Sequence, residues 1–228
     1  MVCVTGTGCL MDHSLLETLP LAHRLALSYA PKAAKADTLT LLAIDARLAG
    51  IVRSEGEAVI AQMKLAWWRE RLTDDPAGWP VAEPLLAQLR SWGGDVSRLV
   101  PLVDGWEGLL AETLDRSAIT TFCRGKSLAW AALADGTGTG KSTQPIEQAA
   151  REVALCDLAR NLSNEEEAAL ASELGAQQGW QRVKLTRPMR ALAVLHALSR
   201  RAWHDDRSQL LDGPGAMLLA MRVGFTGR

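Results

Sequence analysis

Apolar positions recur at three- and four-residue spacing along nearly the whole chain, which is the period of an α-helix. Asp37 reads as the cap of the segment TLTLLAIDARLAGIV. Within it Leu41, Ile44, Leu48 and Ile51 form one stripe, and Leu39, Leu42, Ala46 and Ala49 form a second beside it. A helix that is apolar over most of its surface belongs in the centre of a fold. EAVIAQMKLAWWRERL follows, with Ile60, Met63 and Trp67 on one face, and the turn cluster TDDPAGWP ends it. Helical stretches at residues 83–92 and 95–114 come next, the latter broken or kinked near Pro101. SAITTFCRGKSLAWAALA and PIEQAAREVALCDLARNL continue the same period. Asn164 and Glu167 have capping-box spacing, and that helix stops near Gly175. The last long helix is RPMRALAVLHALSRRAW, with Pro188 in its first turn. The pattern contains no convincing strand and no repeat of 20–50 residues. It predicts an all-α fold of about seven to nine helices, a single-domain helical bundle over residues 11–228.

Composition narrows the setting. A net charge of -1 over 228 residues gives no bulk attraction for nucleic acid. Cys3, Cys9, Cys123 and Cys156 form no Cys-x-x-Cys pair and have no histidine at ligand spacing, so a zinc site is not expected. Their scatter fits a reducing compartment. The N-terminus lacks the basic and apolar regions of a signal peptide, and no apolar run reaches the ~20 residues that span a bilayer. The expectation is a cytoplasmic protein, peripheral to the inner membrane if it meets one. Residues 1–10 read as a flexible tail, with Met11 as a start.

One stretch invites a nucleotide-binding reading: DGTGTGKST, residues 135–143. A phosphate loop needs Gly-x-x-x-x-Gly-Lys-[Ser/Thr]. Here Asp135 stands at the first glycine position, close to where phosphate charge would lie. Pro145 would fall in about the second turn of the following helix, at a cost of ~3 kcal/mol or more. It fits instead the first turn of a helix starting near Thr143 or Gln144. The stretch also follows an Ala-rich helix rather than a strand. It reads as a connector, with no nucleotide at residues 135–143.

Several segments, in order, resemble the squalene/phytoene synthase family. APKAAKADTLTLLAIDARLAGIV is similar to that family's Pro-basic turn and first central helix. QMKLAWWRERL resembles its Leu-x-x-Trp-Trp-Arg helix, and LVDGWEGLL its Leu-Ile-Asp-Gly-x-Glu stretch. FCRGKSLAW stands where the family has a Tyr-Cys-x-x-x-Ala-Gly helix, and ALCDLARNL resembles the helix of the second Asp-rich motif. The resemblance spans roughly residues 25–200. It implies an isoprenoid synthase type of bundle around a central apolar cavity. In active members two Asp-x-x-x-Asp motifs face each other across it. Carboxylates at i and i+4 share a helix face and can hold one Mg²⁺, which holds the diphosphate and helps it leave.

Against that pattern the first-motif acids fall on Ala49, Gly50 and Arg53. At the second motif Asp157 and Asn161 stand where the family has Asn-x-x-x-Asp, and Arg160 matches its arginine. No Asp-x-x-x-Asp occurs anywhere in the chain. Asp74-Asp75 and Asp205-Asp206 read as solvated charges. Asp157 is the residual metal position, and Arg53 and Arg47 are the candidate diphosphate contacts, since arginine binds phosphate bidentately. The reading this favours is a catalytically degenerate member, acting as a binding or assembly factor like the family's complex I assembly factor. It would hold an isoprenoid or lipid ligand, or a protein partner from a membrane complex. The alternative is an active prenyltransferase condensing isoprenyl diphosphates with Mg²⁺.

Individual residues carry two readings each. Asp45 and Arg47 either line a residual cavity or pair with charges on neighbouring helices. Of Trp67 and Trp68, one belongs in the core and the other at a groove or rim. Lys64, Arg69 and Arg71 read as a solvated basic face, and His196 as a satisfied core histidine. Arg200 and Arg201 suit a helix C-terminus.

Overall fold

Local signals set most helix starts. The computed structural model describes residues 13–54, 56–138, 142–207 and 209–228. The predicted tail, Met11, Cys3, Cys9 and residues 139–141 of the glycine-rich stretch lie outside them. Eleven α-helices run through the described residues, with no strand among those residues. They are α1 (His13–Glu17), α2 (Leu21–Ser28), α3 (Lys32–Arg53), α4 (Ala58–Thr73), α5 (Pro84–Leu89), α6 (Val100–Gly108), α7 (Arg116–Gly136), α8 (Gln144–Asn161), α9 (Glu165–Ala176), α10 (Arg190–His204) and α11 (Pro214–Thr226).

Asp115 caps α7 by accepting from the Ala118 amide at 2.7 Å. Pro145 sits in the first turn of α8, where its missing N–H leaves no bond unmade. Pro101 likewise lies in the first turn of α6, so the predicted kink is a 3₁₀ turn (Val96–Leu99) leading into a separate helix. Two starts differ from expectation. The capping of α3 is not done by Asp37: the helix begins at Lys32, after Pro31. Asp37 lies inside the helix, half-buried, and burial pushes its carboxyl pKa up while a backbone bond from Gly93 opposes this. The capping box at α9 is half-formed. Asn164 accepts from the amides of Glu166 and Glu167, but the Glu167 carboxylate turns away to accept from the Leu114 amide at 3.0 Å.

The helices α1, α2 and α11 go beyond the predicted set. The first two are short and separated by Pro20. In α11 apolar residues occupy an exposed face as well as the buried one, so no alternation with polar positions marks the helix in the sequence.

Buried apolar residues from Leu15 to Val223 form one continuous cluster. The helix α7 lies against α6 on one side and α8 on the other; α8 also meets α9 and α10, and α10 meets α2 and α11. On the other side α3 contacts α4, α5, α6 and α7. The close approach of α6 and α7 depends on Gly105 and Gly125, each facing backbone of the other helix. The segments QMKLAWWRERL and LVDGWEGLL come together here. Arg69 of α4 donates to Asp104 at 2.8 Å and pairs with Glu107, both on α6. The hydrogen bond to Glu107 is the first cause of an Arg69 pKa raised above its ordinary value. Trp68 is buried and Trp67 partly exposed beneath the Arg71 guanidinium, as the split reading of that pair expected. No helix among the described residues is long and apolar enough to cross a membrane.

Candidate functional site

The helices carrying the two motif positions, α3 and α8, send charge towards one place. Three positions on α3 share a face because they are spaced by four residues: Asp45, Ala49 and Arg53. The upstream member, Asp45, is engaged twice. Its Oδ2 pairs with Lys126 Nζ on α7 at 2.5 Å, and its Oδ1 accepts from Trp106 Nε1 on α6 at 2.9 Å. Lys126 and Asp45 keep only 12% and 13% of their side-chain surface exposed. The ammonium also lies 5.3 Å from the Trp106 ring centre and 5.4 Å from that of Phe122, and those two rings meet edge to face. Of the two readings for Asp45, charge pairing with a neighbouring helix is the one observed.

On α2, His23 sits within electrostatic reach of Asp45, Lys126, Asp157 and Arg53. The residue keeps part of its surface, but its Nδ1 is buried with no hydrogen-bond partner among the described residues. Burial is the main reason its pKa lies below 6.5. Lys126 and Arg53 add to the lowering, and Asp45 and Asp157 oppose it. An unfolded chain would take up that proton more readily, so stability rises with pH in this window. The contribution is complete above about 6.5 and is lost as pH falls through the folded pKa. The melting temperature should therefore drop from pH ~7.5 to ~5.5, and His23→Gln should flatten that drop. Parallel curves for the two proteins would rule His23 out as the source.

The motif positions on α8 are arranged differently from a metal cage. Asn161 Nδ2 donates to Asp157 Oδ1 at 2.9 Å and to the Asp157 carbonyl at 2.8 Å. At the i+4 position, where a second carboxylate would be needed, stands an amide spent on Asp157 itself. Arg160 turns elsewhere. Its Nε donates to the Arg207 carbonyl at 2.9 Å, and its guanidinium lies over the Trp203 ring. Among the described residues no group of three His, Cys, Asp or Glu could hold a metal ion. The residues present therefore do not fit Mg²⁺ in the two-carboxylate manner.

The other expected contacts separate. Arg53 is exposed at the end of α3. Arg47 lies on the opposite side of α3, in an exposed pair with Glu83 at 3.2 Å. With Gly50 and Lys64 it lines a groove of about 290 Å³ between α1, α3 and α4. Asp45, Arg53 and Asp157 lie within electrostatic reach of His23, whereas Arg47 pairs with Glu83 and Arg160 bonds the Arg207 carbonyl.

Sequence reasoning missed His23, Lys126 and Trp106 as members of the cluster. Lys126 carried a readable signal, as a cation just ahead of the apolar, core-bound run from Leu128 to Ala134. Cys123 and Cys156 add no nucleophile: burial pushes Cys123 up to about 12 and Cys156 to about 11, so both are protonated at neutral pH. His196 is buried and bonded at 2.5 Å to Glu152, itself fully buried on α8. That agrees with its reading as a core histidine.

No family model, curated protein or solved structure matches the chain.

Proposed function

We propose that the chain is a catalytically degenerate relative of the squalene/phytoene synthases and works as a binding or assembly factor. The observation that carries this reading is the state of α3 and α8 at the two motif positions. Where family members place first-motif carboxylates, α3 has Ala49, Gly50 and Arg53, and the nearby Asp45 is committed to Lys126 and Trp106. On α8 the surviving Asp157 is bonded to an amide. Ionising an allylic diphosphate requires cations that neutralise the leaving group. A single half-buried carboxylate does not assemble them.

The ordered resemblance of the helical segments supports the family part of the proposal. A protein retaining such a bundle without its metal acids can still present helix faces to a partner from a membrane complex, or hold an isoprenoid or lipid tail against apolar walls.

The test is incubation of the purified chain with Mg²⁺ and labelled farnesyl or geranylgeranyl diphosphate. The expected result is no diphosphate release and no condensed product. Formation of a C30 or C40 product would return the chain to the prenyltransferases. In-cell crosslinking supplies the positive arm, with a subunit of a membrane-embedded complex as the expected adduct.

A further inference from the structure

An open cavity of about 830 Å³ lies between residues 182–185, α10 and α11, away from the α3/α7/α8 cluster. Its lining carries Arg182, Lys184, Arg190, Arg200, Arg222 and Arg228, and no Asp or Glu among the described residues. None of these cations has a carboxylate within 4.0 Å among the described residues. In a chain of net charge -1 this is a local concentration, not a reflection of bulk charge. The cations also act on one another. Burial is the first cause of the lowered Arg200 pKa, and Arg182 and Arg222 add to it, while the buried Glu152 opposes. Like charges gathered without counter-ions repel, and a multivalent anion relieves that repulsion. Ala193 and Ala197 on α10 and Leu219 and Val223 on α11 add apolar wall, with His196 and Thr226 beside them.

A second feature adjoins the first on the same helix. Along α11, Met217, Met221 and Phe225 are spaced by four residues and share one face, and Leu218 flanks them. All four are exposed, Leu218 at 65% and Phe225 at 78%. At 100° per residue Arg222 falls between this stripe and the cavity-facing positions Leu219 and Thr226. The apolar stripe therefore runs along the edge of the cationic cavity.

We propose that this face docks on an anionic membrane surface, with a lipid headgroup phosphate in the cationic cavity and the α11 stripe in the bilayer interface. An apolar helix face bordered by arginines is the arrangement of an interfacial helix. With 13 residues α11 is about 20 Å long, short of the ~30 Å hydrocarbon core, so it lies on the surface and does not span it. A nucleic acid would satisfy the cations but leave the stripe in water, and the aromatic ring that lines the cavity, His196, is buried and bonded to Glu152 rather than free to stack on a base.

The experiment is co-sedimentation of the full chain with phosphatidylcholine vesicles and with phosphatidylcholine–phosphatidylglycerol vesicles. Binding is expected only to the anionic vesicles and should weaken as salt rises. Arg182→Gln with Arg222→Gln should weaken it roughly twenty- to thirty-fold, about fivefold for each charge removed. Leu218→Gln with Met221→Gln leaves the charge unchanged and should weaken it by roughly tenfold or more. All four side chains are exposed, so unchanged melting curves should accompany the loss. Equal binding to neutral vesicles, or either pair of substitutions leaving vesicle binding intact, overturns the proposal. So does saturation by inorganic phosphate or an oligonucleotide in a chain that ignores anionic vesicles.

Discussion

Gly125→Ala should destabilise the fold by about 3 kcal/mol or more, at the upper end of what overpacking costs. The added Cβ would overlap the Pro101 carbonyl oxygen and lie 2.9 Å from its carbonyl carbon and 3.1 Å from Leu102 Cα. These are backbone atoms in the first turn of α6, so no rotamer change relieves the clash. The helices must move apart, and the interface beside them is fully packed, with Phe122 and Leu102 almost without exposed surface. Gly105→Ala strikes the same interface from the other side, with its Cβ 2.9 Å from Phe122 Cα. Since both act by separating one pair of helices, the double substitution should cost less than the sum of the singles. Urea denaturation monitored through the buried tryptophans reads all three. A loss under about 1 kcal/mol for Gly125→Ala would mean the two helices slide freely, against the geometry described.

What could be read along the chain and what could not divides by distance in sequence. The first turn of α8 was legible because Pro145 acts on its own backbone, and the Asn164 cap because it acts two and three residues on. The split between Trp67 and Trp68 follows from helical geometry alone. The start of α3 was misplaced because Asp37 satisfies a local capping pattern, while Pro31 begins the helix a turn and a half earlier. Beyond one or two turns the signal fails. Nothing near Glu167 says that its carboxylate will reach the Leu114 amide. Nothing near Asp45 names Lys126, 81 residues away, as its partner.

The cationic cavity shows the same limit more sharply. Its members lie in the 182–185 segment, α10 and α11, and each alone resembles an ordinary surface charge. Arg200 and Arg201 were read together as helix-end charges. Arg201 fits that reading in lying in the last turn of α10, and its Nη1 reaches on to donate to the Asp212 carbonyl at 2.9 Å. Arg200, one residue earlier, points round the helix into the cavity. A dipeptide read as one feature is therefore two, and only the turn of the helix separates them.

Asp45→Ala should cost about 3–5 kcal/mol, the range for removing one partner of a buried ion pair. The loss has two sources. The Lys126 ammonium, 12% exposed, is left without its carboxylate, and the Trp106 indole N–H is left without an acceptor. Asp45→Asn keeps an acceptor for Trp106 and should cost less. Asp45→Leu combined with Lys126→Met removes both charges and should regain much of the loss, because apolar groups of similar size often replace a buried pair without penalty. The regain stays incomplete while Trp106 remains unbonded. Chemical denaturation of the three variants beside the unaltered protein checks the order, and a neutral Asp45→Ala would show the pair to be solvated and dispensable. If the order holds, Asp45 is a structural tie between α3, α6 and α7, with no free charge to offer a ligand. Electrostatic capacity for an anion then lies where cations have no carboxylate partner, along α10 and α11, and substitutions at Asp45 should alter vesicle binding only as far as they unfold the chain.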